Sequence, residues 1–266
     1  MSRLDLYVLR SSSKGNASLI STDSCKILLD CGISGKALEE SLALLNVSPL
    51  ELDAILITHE HTDHTKGVNT VSKKYNLPVF ATYGTWGHLK RTCPNIASQN
   101  IHTIGESEAF FLGDITITPF PLSHDAAQPV GYSFETDSDK VSAITDTGII
   151  TDHILNTVKG SRIILLESNY DLFMLEAGSY PYDLKRRIKS EIGHLSNDDA
   201  ALTTLDLAKL GTREIILGHI SPENNYPDLA LKNTALCLEG HGFAVGKDIF
   251  LYTANKDSIT LIHSLT

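Results

Sequence analysis

An α/β fold of two sheets face to face with helices outside them, a four-layer αββα sandwich, is the architecture this sequence predicts. Short apolar runs bounded by Gly, Ser, Asn or Pro read as strands, and they come in two series, each followed by helical stretches. No fixed-period repeat, low-complexity tract or Pro/Gly/Ser-rich linker interrupts residues 1–266, so the sequence predicts a single domain.

In the first series "LDLYVLR", "ASLIST", "KILLDC" and "DAILIT" read as strands. "SGKALEESLALLNV" interrupts them with Leu38, Leu42 and Leu45 at helical spacing, and "VNTVSKKYN" reads as a second helix. "ITITPF", "VGYSFET", "KVSAIT" and "RIILLES" continue the strands. A helix around "PYDLKRRIKSEI" is expected to end at Gly193, and another to start at Ser196, where "SNDD" makes a capping box with Asp199. "REIILG" reads as a strand, "ALKNTALCLEG" as a helix, and "DIFLYT" with "SITLIH" as a closing hairpin.

Composition narrows the function classes. With 42% hydrophobic and 20% charged residues, the chain reads as an ordinary soluble globular protein. "MSRLDLYVLRSSSKG" has no secretory apolar core, and no run approaches the ~18 apolar residues of a membrane span, so a cytoplasmic protein without a membrane partner is expected. Cys25, Cys31, Cys93 and Cys237 form no CxxC pair and read as free thiols in a reducing compartment. The net charge of −10 argues against a basic nucleic-acid coat. It leaves room for a nuclease whose metal ions supply the local positive charge. No stable protein partner follows from the sequence.

"ITHEHTDHTKG" carries the chemistry, with three histidines and two acids in six consecutive positions after an apolar run. Paired imidazoles such as His59 and His61 suit zinc, manganese or iron, and Asp63 and His64 beside them allow a second ion nearby. Four donors in six residues cannot all reach one ion with good geometry, which favours two divalent ions: Zn2+ or Mn2+, with Fe2+ as a third candidate. Elsewhere an isolated strand-end His or Asp is more often a hydrogen-bonded structural residue than a ligand. His88, His102, His153 and His241 stand in polar or loop contexts, and His263 reads as a half-buried strand residue.

"HEHTDH" resembles the H-x-H-x-D-H motif of the metallo-β-lactamase fold. The resemblance implies further ligands in order along the chain. These are His124 in "FPLSHDAAQPVGY", a bridging Asp146 in "AITDTG" and His219 in "IILGHIS". His59, His61 and His124 would then hold one ion, Asp63, His64 and His219 the other. "RSSSKGNASLI", "LLDCGISGK", "LESNYD", "GHLSNDDA", "SHDAAQPVGY" and "GHISPENN" together look like the YycJ/WalJ-type branch of this fold. That branch implies 5′→3′ exonucleolytic hydrolysis of DNA. A long β-CASP insertion of the ribonuclease J type and a Gly/Pro-rich arm of the ribonuclease Z type are both absent from the sequence, which counts against RNA processing.

His194 of "GHLSNDDAA" lies between the Gly193 helix end and the Ser196 cap. Phosphodiester-cutting branches of the fold carry a histidine in a similar context with a glutamate resembling Glu167, a pair able to protonate a leaving 3′-oxygen. Asp63, His194 and Glu167 are thus the expected catalytic residues. Asp30, ending "KILLD", is expected to orient the metal-binding turn. Ser13, Lys14 and Asn16 of "SSSKGN", with Ser11 and Ser12, could meet a phosphate. The cluster Lys185, Arg186, Arg187 and Lys189 is a weaker nucleic-acid pointer, since a solvated helix face looks the same. The expected function is a dinuclear phosphodiesterase in which metal-activated hydroxide attacks phosphorus. A small-molecule phosphodiesterase and a thioester or amide hydrolase are the alternatives.

Overall fold

The computed structural model describes residues 3–260. These residues form two compact units, one of residues 3–121, 126–139 and 255–260, the other of residues 122–125 and 140–254.

In the first unit β1 (Asp5–Arg10), β2 (Ala17–Ser21) and β3 (Lys26–Leu29) pair antiparallel in turn. Helix α1 (Gly35–Leu44), capped by Ser34, leads to β4 (Ala54–Leu56), which joins β3 in parallel. The short α2 (Thr62–Thr65) and α3 (Val68–Tyr75) then lead to β5 (Val79–Thr82). Helix α4 (Tyr83–Thr92) leads to β6 (Ile101–Ile104), and both strands extend the parallel part of a six-stranded sheet in chain order. Strands β7 (Phe110–Leu112), β8 (Ile115–Pro121) and β9 (Val130–Glu135) form an antiparallel meander. Leu19, Leu28, Ile55, Ile57, Val71 and Trp86 belong to one buried cluster, so the strands expected from their apolar runs are the ones that build the core.

The second unit is wholly parallel: β10 (Lys140–Ile144), β11 (Ile163–Glu167), β12 (Glu214–Gly218) and β13 (Phe250–Thr253) pair in that order. Its helices are α5 (Asp152–Val158), α6 (Leu172–Ala177), α7 (Tyr182–Ile188), α8 (Asn197–Lys209) and α9 (Pro227–Gly240). β11 and β12 are buried at every position, which explains why they read as continuous apolar runs without alternation. The Ser196–Asp199 capping box opens α8 as the sequence suggests.

Two readings need correction. α7 stops at Ile188, short of Gly193. The Ser190 hydroxyl donates to the Arg187 carbonyl at 2.7 Å and draws residues 189–193 into a turn. The hairpin of "DIFLYT" with "SITLIH" is also replaced: β13 pairs with β12, whereas Thr260 bridges Val8. Between them Asn255 Oδ1 accepts the amides of Asp257 and Ser258 and turns the chain. The rest of "SITLIH", with His263, lies outside the described residues. Helices α4, α5 and α6 escaped the sequence reading, as did β5, β6 and β7.

Backbone contacts clamp the histidine turn. Asn16 N–H donates to the Asp63 carbonyl, Cys31 N–H to His64, Gly32 N–H to Asn16 and Gly67 N–H to Cys31, at 2.7–2.8 Å. A Cβ on Gly32 would stand 1.5 Å from the Asp63 carbonyl oxygen, so glycine is required there. Gly32→Ala should therefore cost about 3 kcal/mol or more, the range of severe steric defects. Gly87→Ala in α4, where a Cβ meets nothing within 4 Å, should instead gain roughly 0.5–1 kcal/mol. Urea midpoints of the two variants measure both, and equal midpoints would show that the clamp yields.

Candidate metal centre

In both units the chemistry-bearing residues sit at or just past the carboxyl ends of neighbouring parallel strands, where open α/β sheets gather ligand sites. Asp30 follows β3, and Thr58 and His59 follow β4, with Leu29 and Leu56 in register. Asp146 follows β10, Glu167 ends β11 and His219 follows β12, with Glu167 opposite Gly218. Asp30, Asp146 and His219 all hold positive φ, of 57°, 56° and 50°. Such left-handed backbone costs a non-glycine residue about 1 kcal/mol or more, and where it recurs at ligand-type residues it points to function.

In the first unit the buried Asp30 carboxylate organises two imidazoles. Its Oδ1 accepts the Thr58 amide at 2.9 Å, and its Oδ2 accepts the Thr58 hydroxyl at 2.9 Å and His64 Nδ1–H at 2.7 Å. Because the hydroxyl proton goes to Asp30, Thr58 Oγ1 must accept from His59 Nδ1–H, 3.0 Å away. Both histidines are thereby set in the Nδ1–H tautomer, with the Nε2 lone pair left for ligation. Asn16 Nδ2 points at His64 Nε2 (3.1 Å) and Asp63 Oδ2 (3.2 Å), in line with an unprotonated Nε2. His61 opens α2 without capping it and packs edge-on to His59, ring centroids 4.6 Å apart.

In the second unit Glu167, 0% exposed, has the same organising place. Its Oε1 accepts His194 Nδ1–H at 2.7 Å and His219 Nδ1–H at 2.9 Å; its Oε2 accepts the Thr147 amide at 3.1 Å and the Leu195 amide at 3.4 Å. Burial pushes the Glu167 carboxyl up, but the His194 charge and these bonds outweigh it and hold the pKa below the usual value. Burial likewise opposes the His194 imidazolium, and the Glu167 carboxylate overcomes it, so His194 titrates above an ordinary histidine. His124 is shifted down, chiefly by burial. Its Nδ1–H donates to the Gly193 carbonyl at 3.0 Å, leaving Nε2 3.8 Å from Asp146 Oδ1. Asp146 Oδ1 lies 3.4 Å from His219 Nδ1 and 3.6 Å from His194 Nδ1. A Cβ on Gly193 would fall 2.2 Å from the Ile188 carbonyl oxygen, so this junction too needs glycine.

In the second unit Asp146, Glu167, His194 and His219 bring ligand-type atoms within 4.8 Å of one another; with Nδ1–H of both rings donated to Glu167, the Asp146 carboxylate and His219 Nε2 are left as donors that fit a divalent cation. Imidazoles that donate from Nδ1 and keep an Nε2 lone pair, as His59, His64 and His219 do, suit Zn2+, Mn2+ or Fe2+ beside carboxylates.

Other expected residues fall elsewhere. Ser11 and Ser12 are buried and bonded to Asn16 Oδ1, whereas Ser13 and Lys14 are exposed. Most of the basic cluster is neutralised: Lys185 donates to the Glu176 and Gly178 carbonyls, Arg187 pairs with Asp125, and Lys189 with Glu176. His102 stacks on Phe80, and His241 bonds the Cys237 carbonyl at the end of α9. All four cysteines are free thiols; burial pushes Cys25 and Cys31 up to about 12, which makes both poor nucleophiles. Sequence reasoning missed Thr58 and Asn169, whose Nδ2 donates to the His219 carbonyl at 2.9 Å. Their signal was position alone, an uncharged polar residue next to a strand-end ligand or carboxylate.

Comparison with known proteins places this geometry in a family. A model of the β-lactamase superfamily domain matches residues 26–220. The chain is 40% identical to exodeoxyribonuclease YycJ of Bacillus anthracis, over 97% of this chain and 98% of that protein. It is 37% identical to exodeoxyribonuclease WalJ of Streptococcus pneumoniae (strain ATCC BAA-255 / R6), over 95% of each. Among solved structures it resembles the metallo-β-lactamase fold protein YhfI of Bacillus subtilis in fold, with TM-score 0.70, 15% identity and coverage of 97% of this chain and 100% of that one. With its α/β sheets flanked by helices and its strand-end histidines and carboxylates, the chain belongs to the metallo-β-lactamase fold family and, within it, to the YycJ/WalJ-type branch.

Proposed function

We propose that the chain is a dinuclear, metal-dependent phosphodiesterase of one catalytic domain, a 5′→3′ exonuclease on DNA in the cytoplasm. The observation that carries this reading is the His194–Glu167 pair beside strand-end metal donors, an arrangement suited to a phosphodiester leaving group. The YycJ and WalJ relatives, named exodeoxyribonucleases, support the substrate. Among the described residues no helix is long and apolar enough to cross a membrane.

In this reading His59, His61 and His124 would hold one ion, Asp63, His64 and His219 the other, and Asp146 would serve both. Divalent ions so held supply Lewis acidity, lowering the pKa of water towards ~7 and countering charge on phosphoryl oxygens. Asp30 and Thr58 keep the donor nitrogens aimed, and Asn16 orients Asp63. His194, its Nδ1–H anchored on Glu167, holds a proton at Nε2 for the departing 3′-oxygen.

Metal content tests the ligand assignment directly. His61→Ala should lose at least one ion and all turnover, and Asp146→Ala should lose both ions or keep one weakly. Wild-type metal content in either variant removes that residue from the set.

His194→Ala should keep its metal and its fold while the rate falls by roughly 10²–10⁴, the usual contribution of a general acid. A p-nitrophenyl ester, whose leaving group needs no proton, should lose far less. Equal losses on both substrates would make His194 a positioning residue.

Linear and covalently closed circular forms of one plasmid test the exonuclease reading. Digestion should require an end. Equal rates on both forms would remove that reading, and cleavage of neither, with turnover of small phosphodiesters, would put the small-molecule phosphodiesterase in its place.

A further inference from the structure

The charge of this acidic chain is divided unevenly. Residues 64–105 contain Lys66, Lys73, Lys74, Lys90 and Arg91 and not one Asp or Glu. The chain holds 22 Lys+Arg and 32 Asp+Glu, so removing these five leaves 17 basic against 32 acidic residues elsewhere. A segment of +5 thus sits in a background of −15, and it begins inside the histidine turn.

The fold turns the segment into a surface. α3 starts at Val68, next to Gly67, and buries Val68, Val71 and Ser72. On its other side Asn69, Thr70, Lys73 and Lys74 line a cleft of about 430 Å³, closed by Asn95 beyond α4. Asn69 Oδ1 accepts the Asn95 amide at 2.9 Å and ties the two walls together. Glu39 of α1 takes up Lys74 at 2.9 Å, whereas Lys66, Lys73 and Lys90 are exposed and form no ion pair among the described residues. Lys73 lies about 7.5 Å along the helix axis from Val68, roughly two base steps of a duplex.

We propose that this lysine- and amide-lined face, with Lys73 at its cleft, is the track that holds the DNA phosphate backbone beyond the scissile position. The inference rests on the nuclease reading above and names the surface that reading needs. The Lys185–Lys189 helix does not compete for the role, because its charges are largely spent on carboxylates and carbonyls. Cationic and amide donors, of which only Lys74 is taken up by an acid, suit a phosphate chain without selecting bases, as an end-directed enzyme requires.

The test compares Lys73→Glu/Lys90→Glu with a charge-matched control, Lys159→Glu/Lys232→Glu. Binding of a fluorescent, 5′-phosphorylated duplex with cleavage-resistant phosphorothioate links is followed by anisotropy across a salt series. The first variant should weaken binding whatever the base sequence and make the log–log salt slope shallower by roughly 1 per lost contact. Its KM on long duplex should rise while turnover of a p-nitrophenyl phosphodiester stays at the wild-type value. The control should do neither, and equal effects in both variants, or none in either, would overturn the track. If the wild type binds but does not cut, a specific loss in the first variant keeps the track and removes the nuclease reading. If the wild type does not bind DNA, both fall.

Discussion

A carboxylate taken out of water costs several kcal/mol unless hydrogen bonds replace its hydration, and this requirement organises both units. Asp30, 3% exposed, and Glu167, 0% exposed, are both buried where hydrogen-bond donors converge on them. The donors are three imidazoles, a hydroxyl and three backbone amides. Each bond that stabilises the carboxylate also fixes the ring or backbone that makes it. Stability and aim come from the same contacts, so these rings are not free to drift.

Parallel strands explain where these groups can be. Strand ends in register place side chains from separate stretches of sequence at one edge, and the left-handed turns at Asp30, Asp146 and His219 swing those side chains out of the pleat. Apolar residues of α1, α3 and α4 pack in one cluster with those of β2, β3 and β4. The sheets are therefore scaffold up to their last residue and chemistry after it.

Much of this was legible in the sequence, for physical reasons that differ by residue. "KILLD" and "DAILIT" announce strands because both faces are buried, and the histidine density of the following turn has no structural explanation. Helix α4, with Gly84 and Gly87 inside it, gives too weak a pattern to read, and β5 to β7 are only three or four residues long. Thr58 and Asn169 act through a single hydroxyl or amide, which no periodicity marks. Gly193 was read as a helix stop, whereas it is glycine because the Arg187 and Ile188 carbonyls leave no room for a Cβ. The basic helix misled for a third reason: the carboxylates that neutralise it come from Asp125 and Glu176, distant or off its own face in sequence.

The peptide group between Gly193 and His194 joins two of these parts. Its carbonyl accepts from the His124 ring and its N–H donates to the Ile188 carbonyl at 3.0 Å. A peptide is a rigid plane, so this one acts as a short lever arm with His124 at one end and the His194 backbone at the other. Tilting the His124 ring pulls on that plane and is felt at the His194 backbone. The aim of the His124 ring and the placement of His194, far apart in sequence, are then one mechanical variable.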